Sequence, residues 1–192
     1  MARWQPGATQ RLVVAAVDLF TEQGYDATTV AQIAERAGVT KSTFFRHFSD
    51  KRELLVAGQE TLSTLLAEGI AEAPSDATPL EAVAAGLERA STAMGPTNRE
   101  LGPRLKAAVA ASTELQERDA LKSVGLAAAM TAALVGRGIA DATAHLAAEL
   151  GVLAFKRGYA QWSEGDRADD DGLAPYALAA LDDLRAAAGS LG

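Results

Sequence analysis

The sequence predicts an all-α fold of about nine helices, and three observations carry that prediction. Apolar residues recur at helical spacing along most of the chain, and no segment alternates apolar and polar residues over strand length. The helical runs are also punctuated by Gly, Pro and Thr/Asp capping signals. At 192 residues, 48% hydrophobic, 22% charged and only 5% aromatic, the chain can bury a core, though an alanine-heavy one.

Taken in order, Leu12, Ala15, Ala16, Leu19 and Phe20 lie on one face of a first helix from about Ala8 to Gln23, which Gly24 ends. Thr29-Val30-Ala31-Gln32 reads as a capping box opening a short second helix that Gly38 stops. Thr40 is a natural cap for a third helix, Lys41 to about Phe48, and Asp50 for a fourth. The fourth is expected to be long, with Leu54, Leu55, Leu62, Leu65, Leu66 and Ile70 inward, ending before Pro74. Thr78-Pro79-Leu80-Glu81 combines a cap, a proline at the first helical position and an acid at the third, and starts a fifth helix reaching about Met94. Further helices are expected over about Arg99–Ala111, Thr113–Gly136, Asp141–Ser163 and Leu173–Ala188, with an acidic loop at 166–172. In the seventh, Leu121, Val124, Ala128, Thr131 and Val135 recur at heptad-like steps.

The net charge of −7 argues against a nucleic-acid partner until its distribution is considered. Residues 1–56 carry seven basic and six acidic groups, and the remainder eleven basic and nineteen acidic. Four of the seven bases, Lys41, Arg46, Lys51 and Arg52, fall within twelve residues, a local field that attracts phosphate. The chain has no cysteine, which excludes disulfides and thiolate metal sites. It opens without the apolar run of a secretory signal, and its longest uncharged stretch, Ser123–Gly136, is short for a bilayer span. A cytoplasmic protein without a membrane partner is expected.

The informative window is Val30–Phe48. A helix-turn-helix needs a small residue where its helices cross, a glycine in the turn and apolar anchors around them. Ala34, Gly38, and Ile33, Ala37, Val39 and Phe44 supply these. Phe44 and Phe48, four apart, pin the third helix, which turns Ser42 and Arg46 directly outward with Thr43, Phe45 and His47 on the flanks. The helix starts at Thr28/Thr29 and Thr40/Lys41 offer free N–H groups to phosphate.

Around that window stand Arg11-Leu-Val-Val-Ala-Ala-Val-Asp-Leu-Phe20, Gly24-Tyr25, Thr28-Thr29-Val30, Ile33-Ala34, Ala37-Gly38-Val39, Thr43-Phe44-Phe45-Arg46-His47-Phe48 and Lys51-Arg52-Glu53-Leu54-Leu55. Over residues 8–56 this pattern closely resembles the tetracycline-repressor (TetR) family. The resemblance implies a three-helix DNA-binding head, residues 1–50, on a helical ligand-binding and dimerisation body, residues 51–192. It also implies a homodimeric regulator, a repressor released from a palindromic operator by a small-molecule effector, with no cofactor. By the same resemblance Thr28 and Thr29 would meet phosphate. Lys41 would meet phosphate or a base edge, Ser42, Phe45, Arg46 and His47 would face the major groove, and Lys51 would grip backbone. Where many relatives carry Tyr this chain has Phe45, so a phenolic bond to phosphate is absent.

In the body, helix 141–163 is dense in small residues (Ala142, Ala144, Ala147, Ala148, Gly151, Ala154, Gly158, Ala160). Together with the last helix (Leu173, Ala177, Leu178, Leu181, Leu184) it is a candidate dimer interface, since small side chains allow close approach and the family dimerises through its last two helices. Candidate ligand-lining residues are Leu62, Leu105, Met130, Leu134, Phe155, Tyr159 and Trp162, with Arg104 as a possible anion anchor.

Other functions are disfavoured. Gly136-Arg137-Gly138 lacks the preceding strand and third glycine of a dinucleotide fingerprint and reads as a helix end. His47 and His145 have no metal partner at helical spacing, and no nucleophile-elbow motif occurs. Placing Gly172 at position six of a calcium loop puts Arg167 first and Leu178 last, which such a site rejects. No catalytic or metal-binding residue is therefore expected. A small helical enzyme and a helix-turn-helix module that binds protein instead of DNA remain as alternatives. The basic Lys41, Arg46, His47 and Lys51 argue against the second.

Overall fold

The computed structural model describes residues 7–165 and 172–191. Among them are nine α-helices and no strand: α1 Ala8–Gln23, α2 Val30–Arg36, α3 Lys41–His47, α4 Gln59–Glu72, α5 Pro79–Ser91, α6 Pro96–Ala110, α7 Thr113–Gly136, α8 Asp141–Glu164 and α9 Leu173–Gly189. The expected acidic loop falls almost wholly outside the described residues.

Two compact units divide the chain. One gathers the described residues through Ala57 with Pro103–Leu121, and the other holds Gly58–Gly102 with the described residues from Lys122 onward. The boundary expected at 50/51 thus falls at 57/58, and the α6–α7 turn belongs to the first unit. The physical reason lies at Gly58. The expected long fourth helix is broken there into a 3-10 turn, Lys51–Val56, and α4, with Gly58 in the left-handed region at φ 78°. Leu54 and Leu55 enter the first unit's core, while Leu62, Leu66 and Ile70 enter the second's.

The first unit packs α1, α2 and α3 around Leu12, Ala16, Phe20, Ile33 and Phe44. Ala108 and Leu115, from either side of the α6–α7 turn, complete that cluster. Charge fixes the same turn: Arg104 pairs with Asp18, Arg118 with Glu53, and Arg52 lies 3.7 Å from Glu114. Arg104 is therefore committed to an ion pair inside this unit.

The second unit is held by close helix contacts. A Cβ on Gly69 would lie 2.6 Å from the Ala85 carbonyl oxygen, and one on Gly158 would lie 2.5 Å from the Ala177 Cα. The α4–α5 and α8–α9 backbones therefore touch almost directly. Ala144, Ala147, Ala148, Gly151, Ala154 and Gly158 are all buried on the inward face of α8, as are Leu173, Ala177, Leu181 and Leu184 on α9. These side chains are taken up by packing within one chain, whereas Ala142 of the same expected interface is exposed and Ala160 and Leu178 are half-buried. Arg137 caps the end of α4, donating to the carbonyls of Ile70, Ala71, Ala73 and Pro74. By length and composition α7 could cross a bilayer, and only 22% of its apolar window is buried.

Candidate nucleic-acid interface

The site is built on α2 and α3. Thr29 caps α2 in a full capping box: its hydroxyl accepts from the Gln32 N–H at 3.3 Å, and the Gln32 side chain accepts from the Thr29 N–H at 2.9 Å. The helix ends in a Schellman closure, Val39 N–H donating to the Ala34 carbonyl at 2.9 Å and Gly38 N–H to that of Glu35 at 3.0 Å. That closure puts Gly38 at φ 66°, where any side chain is strained. Thr40 then caps α3, accepting from the Thr43 N–H at 3.1 Å.

Two links clamp α2 to α1. Arg36 forks onto both oxygens of Glu22 at 2.8 Å, and Arg11 donates to the Ala37 carbonyl at 3.1 Å. The Arg36 guanidinium holds the Glu22 carboxyl below its ordinary range.

On α3 the burial pattern separates scaffold from surface. Phe44 is fully buried, and Phe48 packs against it with ring centroids 5.8 Å apart. One residue on, Phe45 is 49% exposed. Lys41, Ser42, Arg46 and His47 are exposed and Thr43 is half-buried, its hydroxyl 2.9 Å from that of Thr40. Lys41 Nζ stands 5.9 Å from the Phe45 ring centroid, and His47 Nδ1 lies 3.2 Å from the Thr9 hydroxyl. Ser42 and Arg46 make no side-chain hydrogen bond or ion pair with the described residues, which leaves their polar groups for an external partner.

Two expected contacts are placed elsewhere. Thr28 is 1% exposed and its hydroxyl donates to the Gly24 carbonyl at 2.7 Å, so it closes the α1–α2 turn and presents nothing to phosphate. Lys51 Nζ donates to the carbonyls of Tyr25 at 2.7 Å and Thr28 at 3.0 Å and sits 4.0 Å from the Tyr25 ring centroid. It staples that same turn. Burial, then the neighbouring Glu114 carboxylate, push the Tyr25 phenol up, so it stays neutral beside the lysine. Asp50 caps the 3-10 turn, accepting from the Arg52 N–H at 2.8 Å and the Glu53 N–H at 3.3 Å. Burial alone would raise its carboxyl, but these bonds and the Arg52 guanidinium lower it.

The ligand-lining candidates divide. Leu62, Met130 and Leu134 are core residues of the second unit, the Met130 methyl filling the space beside Gly151. Leu105 packs against the first unit's cluster instead. Phe155, Tyr159 and Trp162 do come together as a ladder on α8, with ring centroids 6.2 and 5.9 Å apart. Tyr159 donates to the Asn98 carbonyl at 2.6 Å, and burial pushes its phenol up to about 12. Arg99 Nε donates to the Trp162 carbonyl at 2.9 Å. The roles of Arg99, Arg104, Arg118 and Arg137 were not legible in the sequence, because each pairs with residues far along the chain.

Comparison with known proteins agrees with this geometry. Residues 12–57 match the family model described as bacterial regulatory proteins, tetR family. The HTH-type transcriptional regulator TcmR of Streptomyces glaucescens is 36% identical over 86 residues, 41% of this chain and 38% of that protein. The HTH-type transcriptional activator FasR of Mycolicibacterium smegmatis is 38% identical over 63 residues, 33% of this chain and 29% of its own. The chain thus spans well under half of either curated relative. The fold is matched more broadly. A TetR-family regulator from Syntrophomonas wolfei superimposes with a TM-score of 0.59 at 17% identity, covering 91% of each chain. FadR of Bacillus subtilis, solved with stearoyl-CoA, gives 0.56 at 19% identity, covering 90% of this chain and 95% of its own. Residues 12–57 thus carry the helix-turn-helix segment that the tetR family model describes, and the all-helical fold as a whole is similar to that of solved TetR-family regulators.

Proposed function

We propose that the chain represses transcription as a cytoplasmic homodimer that binds a palindromic operator through α3 and is released by a small molecule. The observation that carries this reading is the division along α3. Phe44 and Phe48 are spent on the core, while Ser42, Phe45 and Arg46 face out, Ser42 and Arg46 without a polar partner among the described residues. Arg46 pairs bidentately with guanine and Phe45 packs on a thymine methyl, the contacts their chemistry favours in a major groove. Lys41, Thr40, Thr43 and His47 flank them, and the α2 start at Thr29 meets phosphate. Two-fold symmetry of the dimer is then mirrored in the operator.

The aromatic ladder Phe155–Tyr159–Trp162 is the part of the expected lining that supports an effector site. Stearoyl-CoA in FadR of Bacillus subtilis makes long-chain acyl-CoA the first compound to try. An effector releases DNA only by its differential affinity for the two states. Fluorescence anisotropy on duplexes from the DNA upstream of the gene tests the reading: nanomolar binding to one palindromic site, weakened by effector, supports it. Equal affinity for scrambled duplex at every salt concentration sinks it.

A further inference from the structure

The outward face of α3 ends on a side chain whose charge depends on pH. Histidine changes charge between about pH 5 and pH 8. This chain has two, His47 and His145, and no cysteine. His145 stands exposed on α8 in the second unit, 4.0 Å from Glu149. His47 closes α3, exposed beside Arg46 on the face assigned to the duplex.

The His47 ring is held from α1. Its Nδ1 lies 3.2 Å from the hydroxyl of Thr9, which is its one hydrogen bond among the described residues. A threonine hydroxyl both donates and accepts. It donates to a bare Nδ1 in the neutral ring and accepts from Nδ1–H in the imidazolium, so a single contact serves both states. Either way Nε2 is left to an acceptor outside the chain.

The surrounding charges decide what such an acceptor does. On α3 itself the other charged groups are Lys41 and Arg46, both basic. On α1 the first turn has no acid, Arg11 donates to the Ala37 carbonyl, Asp18 pairs with Arg104 and Glu22 with Arg36. α2 carries Glu35 and Arg36, and neither pairs with His47 among the described residues. Beyond Phe48, Asp50 is engaged by Arg52, and Lys51 by the Tyr25 and Thr28 carbonyls. A phosphate of the duplex is therefore the first anion offered to Nε2. An imidazolium gives it a charge-assisted hydrogen bond, about twice as strong as the bond the neutral ring gives. Linkage then requires that DNA binding and proton uptake favour one another.

We propose that His47, positioned by Thr9, makes duplex binding proton-linked: the imidazole takes a proton from solvent as phosphate closes on Nε2, and DNA affinity rises as pH falls. The proposal rests on the DNA-binding role given above and adds a regulation to it.

Fluorescence anisotropy at fixed ionic strength, from pH 8 to pH 6, on the tightest-binding duplex from the DNA upstream of the gene tests this. Wild type is expected to bind about fivefold tighter per head at pH 6, the yield of one histidine taking up most of a proton. Its salt slope should steepen by about one unit per head, for one more phosphate neutralised. His47→Gln should bind with a flat pH response, and His145→Gln should keep the response of wild type. Thr9→Val should shrink the response and Thr9→Ser should retain it, a pattern that a merely structural Thr9 does not give. If His47→Gln fails to bind, wild type with isotope-labelled histidine still answers by NMR at pH 7. Duplex should drive the His47 ring signal toward its protonated position and leave that of His145 unmoved. A flat wild-type response, an undiminished response in His47→Gln or Thr9→Val, a lost response in His145→Gln, or an unmoved His47 signal overturns the inference while DNA binding stands. Failure to bind any duplex at any pH removes the regulator reading, and the inference with it.

Discussion

The head and the body use the same kinds of residue in opposite ways. In the head, the side chains singled out for function are mostly those the fold does not use: Ser42, Phe45 and Arg46 lie on α3 opposite a buried Phe44. In the body, Leu62, Met130 and Leu134, singled out as ligand-lining, are consumed by packing. A short helix pinned by two aromatics has one possible outward side, so sequence spacing assigns it. A long apolar helix in a bundle has several possible neighbours, and spacing alone does not choose between core, ligand and second copy.

The sharpest break of this contrast is at adjacent phenylalanines. Phe44→Ala should cost about 3–5 kcal/mol in a denaturant titration of the head, the usual loss for a buried phenylalanine. Phe45→Ala, one residue away, should change stability by about 0.5 kcal/mol or less while weakening DNA binding. Equal stability losses would erase the distinction between scaffold and surface.

Next in size, Gly158→Ala should destabilise by about 1–3 kcal/mol, because its methyl would meet the α9 backbone at Ala177. An unchanged melting temperature would mean that α8 and α9 do not touch as described. Lys51→Met should cost about 1–2 kcal/mol through loss of its charged hydrogen bonds to the Tyr25 and Thr28 carbonyls. It should leave the salt dependence of DNA binding unaltered. A slope reduced by about one unit would restore Lys51 to the phosphate backbone.

The smallest effect is the pH dependence of the Asp50 cap. Its folded carboxyl is lowered, so its contribution is complete above the ordinary carboxylate range and is lost as pH falls through the depressed value. Thermal melts from pH 6 to pH 2 should show wild type losing more stability than Asp50→Asn. Parallel curves would remove Asp50 from the cap.

Much of the fold was legible. The Thr29 and Thr78 capping boxes and the Gly38 turn are local rules, and the first helix ends at Gln23 as its glycine signal implies. The break at Gly58 was available in the sequence as a glycine inside a helical run, but the apolar pattern continues across it and hides it. That Thr28 and Lys51 close a turn depends on carbonyls to which no sequence pattern points. The α6–α7 turn joins the head through pairs such as Arg104–Asp18, separated by more than eighty residues, which periodicity does not register.

The central claim is that the outward face of α3 reads bases. Its most direct measurement is the affinity of Arg46→Ala against a set of single-base operator variants, at two salt concentrations. The account predicts a loss of about 1–3 kcal/mol confined to one base position per half-site, with binding elsewhere still sequence-dependent. A uniform loss on operator and scrambled duplex alike would make Arg46 a phosphate contact and contradict it.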